Sequence, residues 1–196
     1  MPGYNENVES VSPTFVLVES PDTRSLLERA RAGDCDAFGE MCREHEARLL
    51  RQATTLCGDA ALAEDLAQDT LVEAWKSLRR FNGRCQFFTW LCAILLNRFR
   101  NVLRERRSVT LIDDLAQAAT PDESAAPDQT LLRGEQAALV RKCIAALPTR
   151  HRRVIFLRFY VDDSLAEIAA ALGCSVGTVK SRLFHALEKL RRMNLK

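Results

Sequence analysis

Three groups of side chains in this sequence have types and spacings suited to recognition rather than to covalent chemistry. Near the C-terminus, Lys180 and Arg182 flank a helix face carrying Gly177, Ser181, Phe184, His185 and Glu188. Cations of that kind contact phosphates, while short polar side chains between them reach base edges. In the middle of the chain, Phe87, Phe88 and Trp90 crowd just before Arg98, Arg100, Arg104, Arg106 and Arg107, with Glu105 as the only acid of residues 98–107. Rings beside cations are the composition that stacks unpaired or flipped bases and holds their phosphates. The same rings also read as plain core, and Phe88 fits either role. The third group is an acidic, polar stripe of Asp65, Gln68, Asp69 and Val72. It could dock on a basic, partly apolar helix, where complementary charge speeds encounter and fixes register. It reads equally well as a solvated helix face.

Nothing is arranged for catalysis. The sequence has no Gly-rich phosphate loop, no HExxH and no convincing nucleophile–base pair, and His45, His151 and His185 are dispersed. His45 reads as a helix-surface residue and His185 as one able to reach DNA. No CxxC pair or zinc-type His/Cys cluster occurs, so neither a metal nor another cofactor is expected.

The elements that must position these groups are helices. Residues 164–190, SLAEIAAALGCSVGTVKSRLFHALEKL, form a helix-turn-helix pattern. Ser164 and Glu167 fit a capping box, Gly173 a helix stop, and Ser175 the cap of a second helix. Val179, Leu183, Ala186 and Leu190 recur at helical spacing as the inward stripe of that helix. Between Leu62 and Leu78, Leu66, Ala67, Thr70, Leu71, Ala74 and Leu78 share one arc, opposite the acidic stripe. Asn82-Gly83 marks a turn before the aromatic run. No alternating strand pattern of useful length appears, so the fold class is all-α, with two small helical domains.

Composition sets the frame. The 196 residues are 47% hydrophobic and 28% charged, as in a soluble globular protein. No apolar run suits a bilayer span and no secretory leader is visible. Seven Cys scattered through helical patterns argue against a disulfide framework and for free thiols in a reducing cytoplasm. Cys85 and Cys174 sit in turns where redox sensing is conceivable, though small neutral residues there need no such role. The net charge of +2 hides segregation. Basic blocks at 98–107 and 141–158 flank an acidic stretch at 113–128, which points to a nucleic-acid partner and a tether that repels it. The chain divides into a flexible extension (1–23, with Thr14–Val18 able to form a short strand), a helical domain (24–107), an acidic linker (108–130) and a second helical domain (131–196).

Both halves resemble the extracytoplasmic-function (ECF) group of bacterial sigma factors. The resemblance rests on DAFGEMCREHEARLLRQA, AEDLAQDTLVEAWKSLRRF and FFTWLCAILLN in the first half, and on ALPTRHRRVIFLRFY followed by the helix-turn-helix in the second. It implies sigma region 2-like and region 4-like domains that bind core RNA polymerase and direct it to promoters. Asp65, Gln68, Asp69 and Val72 fall where the family binds the β′ clamp helices. Asn82, Gly83, Arg84, Cys85, Gln86 and Phe87 fall on the loop that captures a flipped −10 base. Asn97, Arg98, Arg100 and Arg104 lie on the helix beside that region. Ser175, Thr178, Lys180, Ser181, Arg182 and His185 fall on the −35 reader, and Arg152 and Arg153 precede it, toward phosphate or the β flap. At Phe88, Leu96 and Asn101 the sequence departs from residues common in the family. The resemblance further implies an anti-sigma factor, often membrane-tethered, and no obligate homodimer. The rival readings are a conventional dimeric helix-turn-helix regulator and a polymerase adaptor that reads no promoter; an enzyme is the least supported.

Overall fold

The computed structural model describes residues 21–113 and 142–194, with side chains over 23–105 and 142–193. The N-terminal strand candidate and most of the acidic linker lie outside these residues. Every regular element described is helical: α1 (Pro21–Arg31), α2 (Cys35–Arg43), α3 (Glu46–Cys57), α4 (Ala60–Ser77), a 3₁₀ turn (Leu78–Arg80), α5 (Phe87–Asp113), α6 (Thr149–Phe159), α7 (Leu165–Leu172) and α8 (Val176–Asn194). Residues 142–145 are also helical.

Local chemistry sets the helix ends. The Asp34 carboxylate accepts the Asp36 and Ala37 amides, both at 3.0 Å, which opens α2. Those amides and Arg29 hold the Asp34 carboxyl below its usual range. Asp59 accepts from the Leu62 amide at 3.1 Å and starts α4 two residues before the apolar pattern begins. Gly58, at φ 72°, takes the left-handed conformation that ends α3. Helix α5 runs to Asp113, well into the stretch expected to be linker from residue 108. The cationic run ends at Arg107, but no Pro or Gly follows it before residue 113 and nothing there stops a helix.

Helices α3, α4 and α5 form the body of the first half. Leu49, Leu66, Ala74, Leu91 and Leu95 are at most 1% exposed at its centre. On α4 the predicted division of faces is present: Leu66, Ala67, Thr70 and Ala74 are buried while Asp65, Gln68, Asp69 and Val72 are exposed. An aromatic cluster closes one end, with Phe38–Trp75 and Phe81–Trp90 ring centroids 5.1 Å apart and Phe81–Phe87 at 5.7 Å. His45 is no surface residue. It precedes α3, half-buried, with its ring 5.8 Å from Phe87 and 5.6 Å from Phe88, and burial lowers its pKa.

Helices α6, α7 and α8 form the helix-turn-helix body around Ile155, Phe156, Leu157, Ile168, Val179 and Ala186. The capping box is formed on both sides: Glu167 N–H donates to Ser164 Oγ at 3.2 Å, and Ser164 N–H donates to Glu167 Oε2 at 2.9 Å. Gly173 ends α7 at φ 62°. Ser164→Ala is expected to cost about 1 kcal/mol, as loss of an N-cap does. Urea denaturation would measure it, and a cost near zero would mean that the cap contributes nothing.

The two bodies touch. Phe88, Leu91, Leu95 and Phe99 of the first half lie in one apolar cluster with Val154, Phe156, Val161 and Ile168 of the second. This packing was not foreseen in the sequence.

Candidate nucleic-acid and polymerase interface

The three turns of α8 nearest its N-terminus and the start of α6 enclose a polar cleft lined by Arg150, His151, Ser175, Gly177, Thr178, Ser181, Arg182 and His185. Ser175 Oγ accepts the Thr178 amide at 3.1 Å and lies 2.9 Å from Thr178 Oγ1, so both hydroxyls are fixed at the head of α8. Lys180, Ser181 and His185 are exposed, and Arg182 is half-buried. Arg182 Nη1 lies 3.8 Å from Cys174 Sγ.

Cations predominate around the cleft, with Glu188 3.9 Å from His185 at its edge. His151 is buried, and its pKa is lowered by that burial and by Arg150, Lys189, His185 and Arg182 around it. The His151 and His185 rings stack with centroids 6.4 Å apart. Burial is the larger cause of that lowering and the surrounding cations add to it. Gly177, read in the sequence on the outer face of this helix, belongs to the cleft, and so does Arg150, which was not singled out. The signal for Arg150 was present in the 141–158 basic block.

Arg152 and Arg153 do not extend toward a ligand. Arg152 donates to the carbonyls of Ala145 at 2.8 Å and Leu147 at 3.1 Å, which ties residues 142–147 to α6. Arg153 is half-buried; burial, then Arg100 and Arg182, lower its pKa. Helical periodicity turns both toward neighbouring chain rather than toward the cleft.

In the first half, the loop between the 3₁₀ turn and α5 is built by local hydrogen bonding. Asn82 Oδ1 accepts the Arg84 amide at 3.0 Å, and Gly83 takes φ 70°. Asn82, Arg84 and Gln86 project to solvent, while Cys85 and Phe87 are 3% and 2% exposed. Those two side chains therefore support the loop from beneath and do not present themselves to a base. Phe88 is core as well, with the Arg48 guanidinium 3.9 Å above its ring. Along α5, Asn97 and Arg98 are half-buried, and Arg100 and Arg104 are exposed.

Arg98 pairs with Asp69 of α4, which keeps the guanidinium firmly charged. A residue expected on the base-capturing side thus meets one expected on the polymerase side. Among the described residues no group of three His, Cys, Asp or Glu is placed to hold a metal ion, and no helix is long and apolar enough to cross a membrane.

The described chain is thus two helical bodies, one carrying an acidic stripe and a constrained polar loop, the other a helix-turn-helix with a cationic cleft. Residues 41–109 match the Sigma-70 region 2 family, and residues 137–190 match the Sigma-70, region 4 family. The chain is 34% identical over 163 residues to the ECF RNA polymerase sigma factor SigL of Mycobacterium tuberculosis, spanning 83% of this chain and 91% of that protein. Its fold is similar to that of CnrH in complex with the cytosolic domain of CnrY, with a TM-score of 0.60, 30% identity, and coverage of 88% of this chain and 96% of CnrH. It is also similar to the sigma factor RpoE in complex with the anti-sigma factor NepR from Bartonella quintana, with a TM-score of 0.55, 28% identity, and coverage of 80% and 95%. The chain belongs to the ECF family of RNA polymerase sigma factors. Proteins of this family are transcription factors rather than enzymes.

Proposed function

We propose that this sigma factor binds core RNA polymerase through Asp65, Gln68, Asp69 and Val72, reads the −35 duplex through the α8 cleft, and captures a melted −10 base on the loop 82–87. Within that loop, Asn82, Arg84 and Gln86 supply the polar contacts, and Cys85 and Phe87 hold its shape from below. Asn97, Arg98, Arg100 and Arg104 line the strand's path along α5. The observation that carries the reading is the cationic cleft, because it places hydroxyls and cations together on an exposed face at the head of α8.

In this mechanism each DNA contact is weak alone. Tethering two modules raises the effective concentration of the second once the first is bound. The −35 module reads duplex edges and shape, and the −10 module traps bases, so melting is coupled to recognition. Unstacking a base costs on the order of a few kcal/mol, offset by stacking and phosphate contacts. The domains of this reading are residues 24–107 and 131–196. An anti-sigma factor, the class of partner named in the RpoE–NepR complex, would regulate it in the cytoplasm.

The test is transcription from pooled genomic DNA by purified bacterial core polymerase, with and without the protein. Specific starts that require the protein support the reading. Their absence, together with tight dimeric binding to duplex DNA alone, would assign the chain to conventional regulators. A second expected result concerns the cleft. Lys180→Ala with Arg182→Ala should weaken binding across sequences and flatten its salt dependence by up to about two phosphate contacts. An unchanged salt slope would move the DNA surface elsewhere.

A further inference from the structure

The apolar seam between the two bodies also encloses polar groups that are incompletely satisfied. The turn 160–163 joins α6 to α7 and rests on α3 and α5. Gln52 donates to the Tyr160 carbonyl at 3.0 Å, and Arg48 donates to the Val161 carbonyl at 3.3 Å. Asp162 takes φ 65°, a left-handed conformation rare outside glycine, and Asp163 follows it into the interior. There Thr89 Oγ1 donates to Asp163 Oδ1 at 2.7 Å, with Thr89 fully buried and Asp163 4% exposed. Asp163 Oδ2 and Gln52 Oε1 are buried with no hydrogen-bond partner. A buried carboxylate with one oxygen unpaired weakens any interface that contains it.

We propose that this chain closes on itself without a partner, that Asp163 and Thr89 form the lock, and that protonation of Asp163 tightens it. Closure is inhibitory on the two-surface reading given above. Elements centred near −35 and −10 lie about 85 Å apart at about 3.4 Å per base pair. A compact body of this size is only about 40 Å across, so the closed form cannot reach both. Residues 114–141 have a contour length of about 90 Å at about 3.3 Å per residue. That is enough to let the opened bodies span the distance.

The groups facing Asp163 set the sign. Burial first, then Glu167 of α7 and neighbouring Asp162, push its carboxyl up to about 6; the Thr89 hydroxyl of α5 and Arg48 of α3 oppose them. Arg158 of α6 binds the Asp163 carbonyl oxygen at 2.9 Å and lies 3.8 Å from Asp162. Cys92 of α5, raised by burial and by Asp163, is a neutral thiol. His45, beside Phe88, has its pKa lowered by burial, so any share it takes in closure works in the opposite direction. Once the seam opens to water, Asp163 returns toward 3.8. Closure is therefore strongest below that value and loses this contribution as pH rises through about 6.

The test uses the full chain with fluorophores introduced as unnatural amino acids at exposed Glu64 and Arg191, away from its native thiols. The ratio of closed to open molecules is expected to be about fourfold higher at about pH 5.5 than at about pH 7.5, from the two ionisation positions. Asp163→Asn keeps the acceptor for Thr89 without charge, and should give a closed population at both pH values. Thr89→Val removes the donor and should open the chain. Wild type that is open at both values, or a pH response unchanged by Asp163→Asn, would overturn the lock. A parallel transcription assay at limiting polymerase separates the consequence from the lock. Asp163→Asn should lower specific initiation several-fold. Unchanged initiation by a demonstrably closed variant would overturn inhibition while leaving polymerase and promoter recognition intact.

Discussion

Phe87→Ala is expected to destabilise the protein by about 3–5 kcal/mol, the range for emptying a buried aromatic site. Phe87 is 2% exposed, and its ring lies 5.7 Å from both Phe81 and Trp90, 5.8 Å from His45 and 6.4 Å from Phe38. No neighbouring side chain can fill the gap, because each is itself held by other rings. Small domains are stable by only about 5–15 kcal/mol, so the variant should approach the unfolding threshold at physiological temperature. Phe184→Ala serves as the contrast. That ring is 66% exposed, and its loss should cost no more than about 0.5 kcal/mol. Urea midpoints for the two variants decide the matter. A cost below about 1 kcal/mol at Phe87 would remove the aromatic cluster as the base of the 82–87 loop.

Asp65→Ala combined with Asp69→Ala should reduce polymerase-dependent transcription by more than about tenfold while leaving stability nearly unchanged. Both carboxylates are exposed on α4, and truncating one of the few residues that dominate an interface costs about 2 kcal/mol or more. The loss of the Asp69–Arg98 pair is a small matter, since exposed ion pairs contribute about 0–1 kcal/mol. Arg98→Ala separates the roles. If Asp69 serves only to hold Arg98, Arg98→Ala reproduces the Asp69→Ala phenotype and Asp65→Ala is silent. If the stripe binds polymerase, Asp65→Ala and Asp69→Ala weaken core binding and Arg98→Ala does not. Anisotropy titration of labelled protein with core polymerase reads the difference.

Much of this arrangement was legible in the sequence because it is local. Ser164, Glu167 and Gly173 declare the ends of α7 through groups three to nine residues apart, and Val179 and Ala186 declare the buried side of α8 by periodicity. The α4 stripe was legible for the same reason: one helix sorts its own faces. Other features depend on distant groups. Cys85 looked like a loop residue and Phe87 read as either a base-stacking ring or core; the fold needs apolar support beneath a tight Asn-Gly turn and buries both. Arg152 looked like a phosphate contact because charge was visible and its carbonyl partners, Ala145 and Leu147, were not. Asp163 carried no signal at all. Its meaning comes from Thr89, on a helix of the other body, and from burial that no local pattern encodes.

The central claim is that one chain reads two separate promoter elements with two separate surfaces. Chemical probing of unpaired thymines together with upstream protection, at a single promoter bound by the reconstituted polymerase, tests it most directly. Asn82→Ala with Arg84→Ala should abolish thymine reactivity in the melted region and leave upstream protection in place. Lys180→Ala with Arg182→Ala should remove the upstream protection first. If either pair of substitutions abolished both signals equally, or neither changed any, the division of labour between the 82–87 loop and the α8 cleft would be contradicted.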